Sequence, residues 1–205
     1  MNELLAVAAI TILAVISPGP DFAMVTRNSY AYGRKAGLLS ALGIALGVQL
    51  HVVYTVFGIA VVIAHSPILF LVMKLAGAAY LIYIGFRSFT NRSQVTLDTD
   101  VNGTIGTFGA FRTGFLTNAL NPKTMLFVVS SYTQVVRPGS SLSVDFGYGL
   151  FMSFAHWTWF SLVAVFFSSE VLRHTMLNRQ RFVDRVIGTA LMALGLSLAL
   201  TGVGR

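Results

Sequence analysis

From residue 36 to residue 73 the chain carries no Asp, Glu, Lys or Arg, and the same is true from 146 to 169 and from 186 to 204. A helix needs only about 20 consecutive apolar residues to cross a bilayer, so each run is long enough to span one. Charged residues make up 10% of the chain, against about a quarter in a soluble domain, so most of its surface cannot face water. Barrel strands would need a polar, lumen-facing residue at every second position, and these runs show no such alternation. The fold class expected is an all-α integral membrane protein, with the lipid bilayer as its main solvent.

Six spans are expected, at about residues 4–25, 36–64, 67–86, 110–136, 146–168 and 186–201. The first has Glu3 as its only early charge and runs into Ser17-Pro18-Gly19-Pro20, which is no small-residue cleavage motif. It is therefore expected to be kept as a span and not removed as a leader. The stretch 91–107, with Asp98, Asp100, Asn102 and Gly103, reads as a solvated loop. It divides a single membrane domain (1–205) into a first half of about 1–90 and a second of about 108–205. With no cysteine in the chain, disulfides and thiolate metal ligands are excluded.

The net charge of +7 does not point to nucleic acid, because the cations sit in short loops between apolar spans. Arg27, Arg34 and Lys35 lie between spans one and two, Arg87, Arg92 and Arg112 around the third connection, and Arg173, Arg179, Arg181 and Arg185 before span six. The opposite side offers little beyond Arg137 and Arg205. The positive-inside rule places the first three groups in the cytoplasm and both termini in the periplasm, as for a multi-pass protein of a bacterial inner membrane.

The halves look like copies. Pro18 pairs with Pro122, His51 with His156, and Lys74-Leu75-Ala76-Gly77-Ala78-Ala79 with Arg185-Val186-Ile187-Gly188-Thr189-Ala190, at separations of about 104 to 111 residues. Three spans per half is an odd number, so the copies must enter the membrane in opposite directions. Inverted repeats of this kind recur in secondary transporters, with the solute site near the midplane.

Prolines remove a backbone donor and clash with the preceding turn. Pro18 and Pro20 with Gly19 should break span one, and Asn121-Pro122 should break span four, freeing backbone groups that protein, water or ligand must satisfy. Asp21 and Lys123 follow immediately beyond these breaks. A charge at such depth costs at least about 2.5 to 3.5 kcal/mol, so both should face the interior, either paired with each other or exchanging with a zwitterionic solute. Asp21 could also carry a proton, or merely cap a half-helix. His51 shares a helical face with Gly43, Gly47, Tyr54 and Gly58 and either lines a cavity or bonds a neighbouring backbone. His156, beside Trp157 and Trp159, poses the same choice. Ser17, Gln49, Asn118 and Asn121 complete the candidate substrate or proton site. The glycine faces suit internal packing or a homodimer contact.

Ser17-Pro18-Gly19-Pro20-Asp21, Gly33-Arg34-Lys35-Ala36-Gly37, Gly77-Ala78-Ala79-Tyr80-Leu81, and Gly114-Phe115-Leu116-Thr117-Asn118 through Asn121-Pro122-Lys123 resemble the lysine-exporter (LysE/RhtB) family over essentially the whole chain. The resemblance implies proton-driven export of amino acids such as threonine, homoserine, leucine or lysine from the bacterial cytoplasm. The Pro-Gly-Pro-Asp segment looks nearer the neutral amino-acid branch. Neither an enzyme nor a cofactor is expected. Divalent-cation efflux is the alternative, although one interior Asp, two separated His and a repelling Lys123 suit it poorly.

Overall fold

The structure, a computed structural model, describes residues 3–90, 105–135 and 140–203. Most of the expected polar loop, together with Arg92, Arg137 and Arg205, lies outside the described residues, as do the side chains of Arg173, Arg179 and Arg181. Seven helices are present among the described residues: α1 (Glu3–Ile16), α2 (Pro20–His65), α3 (Pro67–Thr90), α4 (Thr107–Ala119), α5 (Pro122–Val135), α6 (Leu142–Phe167) and α7 (Glu170–Val203).

The two proline breaks fall where the residues require them. α1 stops at Ile16 and α2 begins at Pro20; α4 stops at Ala119 and α5 begins at Pro122. In both cases a proline is the first residue of the next helix, where its missing N–H has no helical partner to lose and its fixed φ suits the first turn. The expected first span is thus two helices, and the second of them runs past residue 25.

An unbroken α2 of 46 residues would be about 69 Å long, roughly twice the hydrocarbon thickness. It is not straight. Gly33 has φ 83° and ψ 174°, a conformation open to glycine and strained for other residues. There the chain folds back: Asn28 Nδ2 donates to Ser40 Oγ at 3.0 Å, whereas a straight helix would hold those residues about 18 Å apart. α2 is therefore a hairpin of two arms, 20–32 and 34–65.

Three helical stretches among the described residues, Pro20–Ile59, Ile68–Thr90 and Leu142–Phe167, are long and apolar enough to cross a membrane, and Leu4–Ile16 is a shorter apolar helix. Leu42, Leu46, Leu50, Val53, Phe57 and Val61 form an exposed stripe down the second arm of α2. Leu150, Phe154 and Trp157 do the same on α6. A surface so continuously apolar is suited to lipid.

Inside, small residues let the backbones meet. A Cβ on Gly43 would lie 2.2 Å from the Phe111 carbonyl oxygen, and one on Gly114 2.1 Å from that of Ser40. These contacts seat the second arm of α2 alongside α4, running in the same direction. The second arm also packs antiparallel on α6, where Ser153 Oγ donates to the Ala45 carbonyl at 2.9 Å. A Cβ on Gly37 would lie 2.7 Å from Ala164 Cβ, and one on Gly149 2.4 Å from Val52 Cγ1. α3 and α7 form a second antiparallel pair, with Gly85 against Gly188 and Ser88 Oγ donating to the Asp184 carbonyl at 3.2 Å. Gly43, and Gly47, where a Cβ would lie 2.9 Å from Asn118 Cβ, thus serve packing within the chain.

Candidate functional site

The two breaks meet, and each supplies what the other lacks. Asp21, in the first turn of α2, is buried, with 5% of its surface exposed. Its Oδ2 accepts hydrogen bonds from Asn118 Nδ2 (2.8 Å), Asn121 Nδ2 (3.1 Å) and Thr124 Oγ1 (3.3 Å). All three donors flank the α4–α5 break. In return, Lys123 Nζ donates to the carbonyls of Ser17 (2.6 Å) and Pro18 (3.1 Å) at the α1–α2 break. The direct Asp21–Lys123 pair raised from the sequence is therefore replaced by a reciprocal exchange, carboxylate to amides and ammonium to carbonyls. Gly19 makes room for the lysine, since a Cβ there would sit 3.2 Å from Lys123 Cδ.

The carbonyl orphaned by Pro122 can be named. In a continuous helix the N–H of residue 122 would bond the Asn118 carbonyl four residues earlier. Pro122 has no N–H, and that carbonyl instead accepts from His51 Nε2 at 2.9 Å and from the Asn121 N–H at 2.8 Å. The Nε2–H of His51 leaves Nδ1 as an acceptor, which the Tyr54 hydroxyl fills. Asn121 Oδ1 accepts the Lys123 N–H at 3.0 Å, capping the new helix. His51 thus takes the backbone-bonding role of the two open to it, at the break itself.

Two cavities adjoin the crossing. The larger, about 690 Å³, runs from Ser17, Pro18, Gly19, Pro20, Pro122 and Lys123 along Tyr80, Tyr83 and Ile84 to Arg87, Ser88 and Thr90 at the end of α3. That volume suits a small organic solute. The smaller, about 20 Å³, shares Ser17, Gly19 and Lys123 with the larger and is lined further by Ala14, Asp21, Asn121, Thr124, Phe127 and His156. This is room for about one water molecule. Asp21 Oδ1 is buried without a hydrogen-bond partner among the described residues. An unpaired buried carboxylate oxygen is a strong acceptor left open.

Of the residues singled out from the sequence, Ser17, Pro18, Gly19, Pro20, Asp21, Asn118, Asn121, Pro122 and Lys123 come together at the crossing. His156 lines the small cavity, with Nδ1 on the Met152 carbonyl of its own helix at 2.7 Å. Gln49 is set apart: its Nε2 donates to the Gly149 carbonyl (3.0 Å) and Ser153 Oγ (2.6 Å), bracing α2 against α6. Four residues had been missed. Thr124 bonds Asp21, and Tyr80, Tyr83 and Arg87 line the large cavity. Tyr80 also donates from its hydroxyl to the Lys123 carbonyl at 3.2 Å. Its signal was its place in the Gly77–Leu81 segment, whereas Thr124 had none beyond adjacency to Lys123. Among the described residues no three His, Cys, Asp or Glu side chains gather as a metal site would require.

The profile of the LysE type translocator family matches residues 12–202. A membrane protein of Bacillus subtilis (strain 168), YrhP, is 31% identical over 98% of this chain and 100% of its own length. The threonine efflux protein of Escherichia coli (strain K12) is 26% identical over 96% of this chain and 97% of its own. The leucine efflux protein of Salmonella choleraesuis (strain SC-B67) is 32% identical over 61% of this chain and 59% of its own. No solved structure matches the chain. With the match running almost from end to end, this membrane protein belongs to the family of LysE type translocators.

Proposed function

We propose that the chain exports small neutral amino acids across a bacterial inner membrane by proton-coupled alternating access. The relatives named for threonine and leucine efflux support the substrate class. The observation that carries the reading is the buried crossing of two helix breaks at the floor of a solute-sized cavity. One ammonium and one partly unpaired carboxylate face each other's half of the chain there.

In this reading the six spans are α1 with the first arm of α2, the second arm of α2, α3, α4 with α5, α6, and α7. They form one transporter domain of two inverted halves. The antiparallel pairing of the second arm of α2 with α6, and of α3 with α7, supports that inversion. The large cavity opens toward Arg87, the end of α3 that the positive-inside rule puts in the cytoplasm, with both termini periplasmic. The solute enters past Arg87. Its carboxylate draws Lys123 off the Ser17 and Pro18 carbonyls, and that movement opens the small cavity, where its own ammonium reaches Oδ1 of Asp21. Rocking of the halves then exposes the solute to the other side, and Asp21 takes up the proton that returns. Divalent-cation efflux is not favoured, because Lys123 and Arg87 line the large cavity and, among the described residues, no carboxylate or imidazole does.

Efflux from over-expressing cells preloaded with amino acids as dipeptides tests this. Faster exit of one or a few neutral amino acids, lost when the proton gradient is collapsed, is the expected result. No response from any amino acid by a protein shown to be in the membrane, with divalent metals moved instead, overturns it.

A further inference from the structure

His51 and His156 occupy matching places in the two halves, and the structure treats them differently. His51 Nε2 holds the Asn118 carbonyl, the one whose helical donor Pro122 removes. Pro18 removes a donor in the same way from the carbonyl four residues before it, that of Ala14. Ala14 and Asn118 are also about 104 residues apart, like the prolines that follow them. His156 and Ala14 line the same small cavity. Yet His156 directs Nδ1 to the Met152 carbonyl, and its Nε2 makes no hydrogen bond among the described residues. One break is latched by its histidine and the other is not.

We infer that His51 and His156 are alternating latches, each capping through Nε2 the helix broken by the other half's proline motif, in opposite states of the transport cycle. The inference rests on the alternating-access reading above. With the large cavity open at the Arg87 end, His51 caps α4 at Asn118. When the halves exchange roles, His51 releases Asn118 and His156 turns Nε2 to the Ala14 carbonyl, capping α1. A neutral imidazole carries one N–H. His156 uses it on Met152 here, so capping Ala14 moves that proton from Nδ1 to Nε2, by exchange with a water the small cavity can hold. The Asn121 N–H meets only one lone pair of the Asn118 carbonyl, and a buried carbonyl short of a donor is unfavourable in hydrocarbon, so each latch stabilises the state in which it closes. Both are positioning residues, since the inference requires neither to touch solute.

The chain has no cysteine, so Leu126→Cys on the wall of the large cavity gives a single reporter. Its labelling by a membrane-impermeant maleimide is measured in inside-out vesicles without solute, which keeps the test independent of what the protein carries. His51→Leu should slow labelling roughly threefold to tenfold, the range a lost hydrogen bond gives. His156→Leu alone should not slow it, and added to His51→Leu it should return labelling toward the parent rate. His51→Gln, which keeps a donor, should label as the parent does. Where a leucine variant does not reach the membrane, methionine replaces it. If His156→Leu slows labelling as His51→Leu does, or the double variant is no faster than His51→Leu, the latches do not alternate and the inference fails. Amino-acid export could still stand. Loss of export in the parent with the labelling pattern intact would instead overturn the transport reading alone.

Discussion

Lys123 Nζ lies 2.6 Å from the carbonyl oxygen of Ser17, a residue 106 positions away in the chain. That bond, with its companion to Pro18, ties the opening of α5 to the end of α1 across the halves. The ammonium satisfies two carbonyls in the gap between α1 and α2, where neither helix supplies them a donor.

Lys123→Met should therefore abolish export and also loosen the fold. Hydrogen bonds to charged groups contribute about 1.5–3 kcal/mol each, and the methionine would leave both carbonyls unsatisfied. A melting temperature several degrees below the parent in detergent, with export at background, is the expected result. Parent-like export would remove Lys123 from the site.

Gly114→Val should prevent assembly, because its Cβ would sit 2.1 Å from the Ser40 carbonyl, where main chain meets main chain. Over-packing typically costs about 1–3 kcal/mol, and a backbone clash lies at the upper end or beyond it. Gly147→Ala, with nothing within 4 Å, is the matched control. Fluorescence-detected size exclusion should show a folded peak for the second and none for the first.

Arg87 lines the large cavity at the end of α3, and a charge there acts mainly by attracting its opposite. Arg87→Gln should raise the apparent KM for a neutral amino acid several-fold, with little change in maximal rate. Initial rates over a range of cytoplasmic concentration separate the two. With Arg87 and Lys123 both lining the cavity, lysine and arginine should leave at least tenfold more slowly than threonine or leucine.

The breaks, the charges that follow them and the long apolar helices were legible because proline and charge carry their meaning locally: Pro18, Pro20 and Pro122 interrupt helices wherever they fall, and Asp21 and Lys123 need partners among apolar helices. The hairpin at Gly33 was half legible. The sequence set a basic loop there, whereas helix continues to either side and only one residue turns. The exchange of partners between Asp21 and Lys123 was not legible, because it depends on how the two breaks cross. Nor was the separation of Gln49 from the site. In a membrane helix both faces are largely apolar, so periodicity does not say whether Gln49 looks toward a cavity or toward Ser153.

Gln49→Leu follows from that correction. Losing the bonds to Gly149 and Ser153 should lower stability by about 1–2 kcal/mol while export remains within about twofold of the parent. A thermal melt and an efflux rate on the same preparation check both parts.

The central claim is that a solute with both a carboxylate and an ammonium passes through the Asp21–Lys123 crossing in exchange for a proton. The most direct measurement is transport in proteoliposomes of purified parent and Asp21→Asn protein, following a neutral amino acid together with internal pH. The parent should move amino acid against a proton counterflow. Asp21→Asn, inserted to the same extent, should move neither, because the asparagine removes the carboxylate charge that receives ammonium and proton alike. Parent rates of coupled exchange in Asp21→Asn would contradict the account.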